Sequence, residues 1–109
     1  MDKILYEFYY IVGCTGFKTY YTLNVDKETE KMYYGTAFEC DFTSLKGTRF
    51  AIKKEGLNTV HEITGTNNGL VYRIQVDAEN EYKAEQKAKQ IIYDYIIEFA
   101  ERFKNNKED

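Results

Sequence analysis

The spacing of apolar residues changes once along this chain, near residue 80, and that change limits the folds it can adopt. Before it, apolar and polar residues alternate in short segments separated by turn-forming residues, which is typical of β-strands joined by hairpins. After it, apolar residues recur every three or four positions from about Glu81 to Lys104, as on one stripe of an α-helix. The sequence therefore predicts a single α+β domain over residues 1–109. An antiparallel meander sheet of five to six strands, about 4–76, is followed by one long C-terminal helix packed on one face.

Turn and cap residues support these boundaries. An Asn-Gly pair at 68–69 separates two alternating segments, and this pair tolerates the type I′ turn of a tight hairpin. Gly35 interrupts a long third strand, about Lys31 to Phe42, and indicates a bulge. Asp77 or Asn80 is placed to cap the start of the helix.

A period of two assigns each strand residue to one of two faces of the sheet. The face expected to meet the helix carries Tyr6, Phe8, Tyr10, Val12, Tyr21, Leu23, Val25, Met32, Tyr34, Phe38, Cys40, Phe42, Phe50, Ile52, Leu70, Tyr72, Ile74 and Val76. The helix stripe expected to cover it is Ala84, Ala88, Ile91, Ile92, Tyr95, Ile96, Phe99 and Phe103. The opposite face keeps Leu5, Tyr9, Ile11, Tyr20, Tyr33 and Val71 among the charged Glu7, Glu39, Asp41, Lys53 and Arg73. A solvent-facing side rarely holds so many large apolar groups, so a partner or a second copy of the chain is expected to cover it.

Two surfaces are therefore candidate protein-binding sites. On the sheet, the expected anchors and their acidic neighbours are Tyr9, Tyr20, Tyr33, Glu39 and Asp41. On the helix, Tyr93 and Ile97 lie beside the core stripe and widen its apolar arc. The alternatives are a purely structural ladder of tyrosines on the sheet and a wide core under a curved sheet for the helix.

Catalytic and metal-binding motifs are missing from the sequence. Two cysteines, Cys14 and Cys40, and the single His61 supply too few ligands, at the wrong spacing, for a zinc site. No glycine-rich phosphate-binding loop is present, and the paired acidic residues fall on turns or outward-facing positions. The sequence therefore predicts a protein that is not an enzyme and has no catalytic residue, cofactor or metal.

Charge and hydropathy limit the partners. A net charge of -3 argues against direct binding of nucleic acid, which needs a cationic surface. No apolar run is long enough to cross a bilayer, and the first residues lack the features of a signal peptide, so no membrane partner and a cytoplasmic location are expected.

In size, acidity and Lys/Asn/Tyr-rich composition the whole chain resembles the small host-defence inhibitors of phages and mobile elements, anti-CRISPR proteins among them. The likeness is one of build and assigns no functional residue. It implies a protein partner such as a nuclease effector, whose cationic channel the acidic Glu39 and Asp41 would occupy.

The leading hypothesis is a non-enzymatic protein-binding module, acting as an inhibitor of a host nucleic-acid-handling enzyme. The first alternative is a structural or assembly domain that homo-oligomerises, for example as a homodimer, through the sheet face or the helix arc. The second is a small-molecule-binding domain with a pocket between sheet and helix, for which the inward set offers tyrosine hydroxyls and Cys40 but few other polar groups.

Overall fold

The structure is a computed structural model that describes residues 3–13, 17–40, 46–66 and 69–108, and it confirms the predicted α+β class. Six antiparallel strands precede one C-terminal helix. Their bounds are β1 Ile4–Ile11, β2 Phe17–Glu28, β3 Met32–Cys40, β4 Arg49–Lys53, β5 Val60–Thr66, β6 Gly69–Asp77 and α1 Glu81–Glu108. In the part of the chain that the structure describes, no helix is both long and apolar enough to cross a membrane.

The strands form one sheet in the order β4-β3-β2-β1-β6-β5. The first four strands follow one another as a meander, and the predicted β5–β6 hairpin, with Thr66 opposite Gly69, joins the free side of β1. The predicted turn residues 67–68 lie outside the described residues. In a single meander β4 would pair with β5, but here these two strands lie at opposite edges of the sheet.

The short link between these two edges requires the sheet to curl. Residues 54–59 join β4 to β5 and include a 3₁₀ turn, Lys54–Gly56, so the link reaches about 20 Å at most. Six strands side by side in a flat sheet would separate the edges by about 24 Å. The backbone N–H of Asn58 donates to the carbonyl oxygen of Gln75 at 2.8 Å and holds the link against β6.

The first core lies between α1 and the strands β1, β5 and β6. Its buried members are Tyr6, Phe8, Tyr72, Ile74, Val76, Ala84, Ala88 and Ile92, all of which the periodicity assigned to this interface. Asn80 caps the helix, because its Oδ1 accepts the N–H of Lys83 at 2.9 Å. Asp77 instead binds the ammonium groups of Lys3 and Lys87 and ties the helix to the sheet.

A second core fills the opposite, concave face and corrects the predicted division of the strands. Its buried members are Leu5, Tyr21, Leu23, Val25, Tyr33, Ala37 and Ile52, which mix residues predicted for opposite faces. Strand pairing places Leu23 opposite Leu5, so Leu23 shares the face of Leu5 and not that of Tyr6. A period of two would put Phe17 and Tyr21 on one face, but an irregularity in the β1–β2 pairing after Glu7 lets them lie on different faces. The expectation that the large apolar groups of this face require an outside partner is thus wrong for Leu5, Tyr33 and Val71, because the curled sheet buries them itself.

Candidate functional site

The tyrosines predicted as anchors on the sheet have different environments. Tyr33 is only 9% exposed and belongs to the second core, with the ammonium groups of Lys3 and Lys54 5.3 and 4.8 Å from its ring centroid. Tyr9 and Tyr20 are half-buried and meet edge to face, their centroids 5.7 Å apart. The structure therefore brings Tyr9 and Tyr20 together and buries Tyr33.

The acidic members of the predicted sheet site lie at the edge of what the structure describes. The backbone of Glu39 belongs to β3, but its side chain, and the whole of Asp41, lie outside the described residues. A protein-binding role for Tyr9, Tyr20, Glu39 and Asp41 stays a prediction.

The predicted helix residues belong to a larger exposed surface. Tyr93 and Ile97 are exposed together with Ile96, Phe99 and Phe103, and we call these five residues the apolar arc. The expectation that Ile96, Phe99 and Phe103 pack in the core is wrong, since Phe99 is 57% and Phe103 65% exposed.

Helix length explains why the arc is uncovered. A helix of 28 residues extends about 42 Å, whereas the strands it packs on are at most about 30 Å long. Residues as far as Ile92 are buried on the sheet, and the same stripe then continues beyond it. The apolar arc is therefore a core-like surface that the fold leaves between 39% and 65% exposed.

A polar cluster lies inside the curl of the sheet. The side chain of Glu7 is only 4% exposed, and its Oε1 accepts the side-chain amide of Gln75 at 2.7 Å. The same amide lies 3.3 Å from the hydroxyl of Tyr21, and Nε of Arg73 is 3.7 Å from Glu7 Oε1. A buried carboxylate is thus held by a neutral donor and a nearby guanidinium.

Burial decides the protonation of this cluster. Removal from water raises the pKa of Glu7, and the opposing effects of Arg73, Gln75 and Tyr21 only reduce the shift. The pKa of Tyr21 is also raised, by burial first and by the negative charge of Glu7 second. The hydroxyl of Tyr21 therefore stays protonated near neutral pH and remains a hydrogen-bond donor.

A cavity of about 610 Å³ adjoins the cluster, between the two edges of the curled sheet. Its wall includes Lys53 from β4, and His61, Arg73 and Gln75 from β5 and β6. The ring nitrogen Nε2 of His61 lies 3.1 Å from the carbonyl oxygen of Gly56, a contact in which the imidazole donates. The cavity thus combines two apolar side chains, Ala51 and Ile52, with convergent polar groups, as small-molecule sites do.

Replacing Glu7 by glutamine should change how stability depends on pH. Because the folded chain holds the Glu7 proton to higher pH than the unfolded chain, the parent loses stability as the pH rises from about 4 to the raised pKa. Glu7→Gln keeps an acceptor for Gln75 without this titration, so it should gain on the parent by up to about 1.4 kcal/mol for each unit by which the pKa is raised. Urea denaturation at several pH values measures the difference, with Glu30→Gln at an exposed turn position as control. If the free energy of unfolding changed with pH in the same way for the parent and for Glu7→Gln, the conclusion that the Glu7 carboxyl group is buried would be wrong.

The sequence placed Glu7 and Arg73 on one face but did not reveal their pairing. Glu7 lies between Leu5 and Tyr9, and this position within an apolar strand was the available signal for burial. Gln75 gave no signal, because a single amide on a strand is usually solvated. The apolar arc was recognised in part, through Tyr93 and Ile97.

Comparison of the chain with models of protein families, with curated proteins and with solved structures finds no match. Within the described residues, the apolar arc and the polar cavity are candidate sites, and each is defined by its own side chains.

Proposed function

We propose that this chain is a non-enzymatic protein-binding module and that the apolar arc of α1 is its docking surface. The observation that carries the proposal is the exposure of Tyr93, Phe99 and Phe103 on one continuous helical surface. Interface energy concentrates in a few large aromatic side chains that become fully desolvated on binding. Two exposed isoleucines, Ile96 and Ile97, complete the surface.

Replacing Phe99 and Phe103 together by serine should abolish partner binding without unfolding the domain, because both rings are mostly outside the core. Quantitative mass spectrometry of proteins captured from the native cell measures the effect. Tyr82→Ser is the matched control, since Tyr82 is 72% exposed on the same helix but remote from the arc. An identical set of captured proteins for all three forms would contradict the proposal.

The finer form of the proposal is that the partner is a nucleic-acid-handling enzyme, which the chain inhibits. The resemblance in build to host-defence inhibitors supports it, as does the net charge of -3, which suits a cationic channel. Cleavage by a nuclease of the native cell should fall when the chain is added and recover with the Phe99 and Phe103 double variant. If cleavage were unchanged even at a saturating concentration of the protein, the proposed inhibitory role would be wrong.

The cavity supports a second candidate function, the binding of a small organic anion. Nε of Arg73 is buried and has no hydrogen-bond partner among the described residues, although it lies 3.7 Å from Glu7 Oε1. Lys53 adds a second positive charge to the wall, which the carboxylate of Glu55 in part offsets. A planar guanidinium binds carboxylates well. The sequence offered few polar groups for a pocket between sheet and helix. Polar side chains, among them Arg73, His61 and Gln75, instead line the cavity inside the curled sheet.

Titration with acetate and benzoate tests this candidate by NMR. We expect shifts in the Gln75 side-chain amide and the His61 ring, and their loss in Arg73→Gln. Arg49→Gln is the control, because it removes the same charge from an exposed pair with Asp26, outside the cavity. Unchanged signals in the parent protein on addition of either anion would contradict the candidate.

A further inference from the structure

We propose that the apolar arc pairs with the arc of a second copy of this chain, with the two helices antiparallel and crossing near Phe99. The inference rests on the proposed function, since it names a second copy as the occupant of the same docking surface when no other partner is bound, and any other partner has to displace that copy. Such an interface is self-complementary, because each copy offers the same surface and a two-fold axis relates them.

The spacing of the arc suits pairing between helices. Ile92, Ile96, Phe99 and Phe103 follow one another at intervals of four, three and four residues, which is the a/d spacing of a helix pair. Ile92 is used by the protein's own sheet, whereas the next three positions are exposed. Ala100, also exposed, lies beside them and allows close approach of two helices.

The exposed area is sufficient for a weak but specific dimer. The five side chains of the arc are on average about half exposed, and each is able to bury on the order of 200 Å². Pairing that covers all five would therefore remove at most about 500 Å² from each copy, or about 1,000 Å² in total, which is close to the lower limit for a specific interface.

Shape favours the antiparallel orientation. Each sheet packs on the first half of its own helix, so a parallel pair would crowd two sheets at one end, whereas an antiparallel pair separates them.

Light scattering over a concentration series that reaches the millimolar range tests the dimer. We expect a mass that rises towards twice 12.9 kDa, and a dimer dissociation constant at least about thirtyfold weaker in the Phe99→Ser and Phe103→Ser double variant. Tyr82→Ser should dimerise as the parent does. A folded parent protein that remains monomeric throughout the series overturns the proposal.

Distances between spin labels test the orientation, in a background with Cys14 and Cys40 replaced by serine. Residue 82 is about 26 Å along the helix from Phe99, so labels on Tyr82→Cys should be roughly 50 Å apart in an antiparallel pair and under about 20 Å apart in a parallel pair. Labels on Ala100→Cys should be close in either pair and serve as the positive control. A short Tyr82→Cys distance overturns the antiparallel arrangement.

The two proposals fail in different ways. A monomer whose captured proteins disappear in the Phe99 and Phe103 double variant overturns the dimer but keeps the protein-binding function. A monomer whose captured proteins are unchanged by that variant overturns both.

Discussion

Replacing Phe8 by alanine should lower the free energy of unfolding by about 3–5 kcal/mol, enough to unfold much of the population of a typical domain. Phe8 is completely buried at the centre of β1, and its ring stacks on Phe17 with the centroids 5.2 Å apart. Truncation would remove these contacts and leave a cavity between the sheet and α1. Urea denaturation followed by circular dichroism measures the loss.

Phe99→Ala is the matched control for this prediction. It removes the same side chain from a position that is 57% exposed, so the stability of the monomer should change by about 0.5 kcal/mol or less. The comparison is made at a protein concentration where the chain is monomeric. Equal losses at Phe8 and Phe99 would show that the arc packs in the core, as the helical periodicity alone had predicted.

Gly35→Ala should also be strongly destabilising, by about 1–3 kcal/mol or more. A Cβ at this position would lie 2.3 Å from the carbonyl oxygen of Asn24 and 3.0 Å from Cα of Val25, and backbone atoms cannot move aside as a flexible side chain does. The bulge predicted at Gly35 is found opposite it in β2, where the pairing shifts between Val25 and Lys27. Because Gly35 has no side chain, the bulged strand β2 can pack closely against β3 at this position.

Gly56→Ala separates this clash from the general effect of replacing glycine. The nearest atom to a Cβ at Gly56 is Nε2 of the His61 side chain, at 3.4 Å, so a small adjustment of the ring is sufficient. Its effect should be well below that of Gly35→Ala in thermal unfolding. A parent-like melting temperature for Gly35→Ala would mean that β2 and β3 are not so closely paired.

Local patterns were enough to predict the kinds of elements and their approximate bounds. The change of period near residue 80 separated sheet from helix, and Asn80 was one of the two residues expected to cap α1. The Asn-Gly pair marked the β5–β6 hairpin. These features depend on residues close together in the chain, whose backbone preferences and spacing can be read directly.

The sequence by itself therefore determined the α+β class, the first core and most of the helix stripe, whereas only the tertiary structure decided what covers each face. Register between strands depends on distant residues, so the burial of Leu23 beside Leu5 and of Glu7 beside Gln75 was not visible in the period of any one strand. The curl that encloses the second core arises because a short link joins strands at opposite edges of the sheet. Likewise, periodicity marked Phe99 and Phe103 as apolar, but whether the sheet extends far enough to bury them depends on the relative lengths and placement of the packed elements.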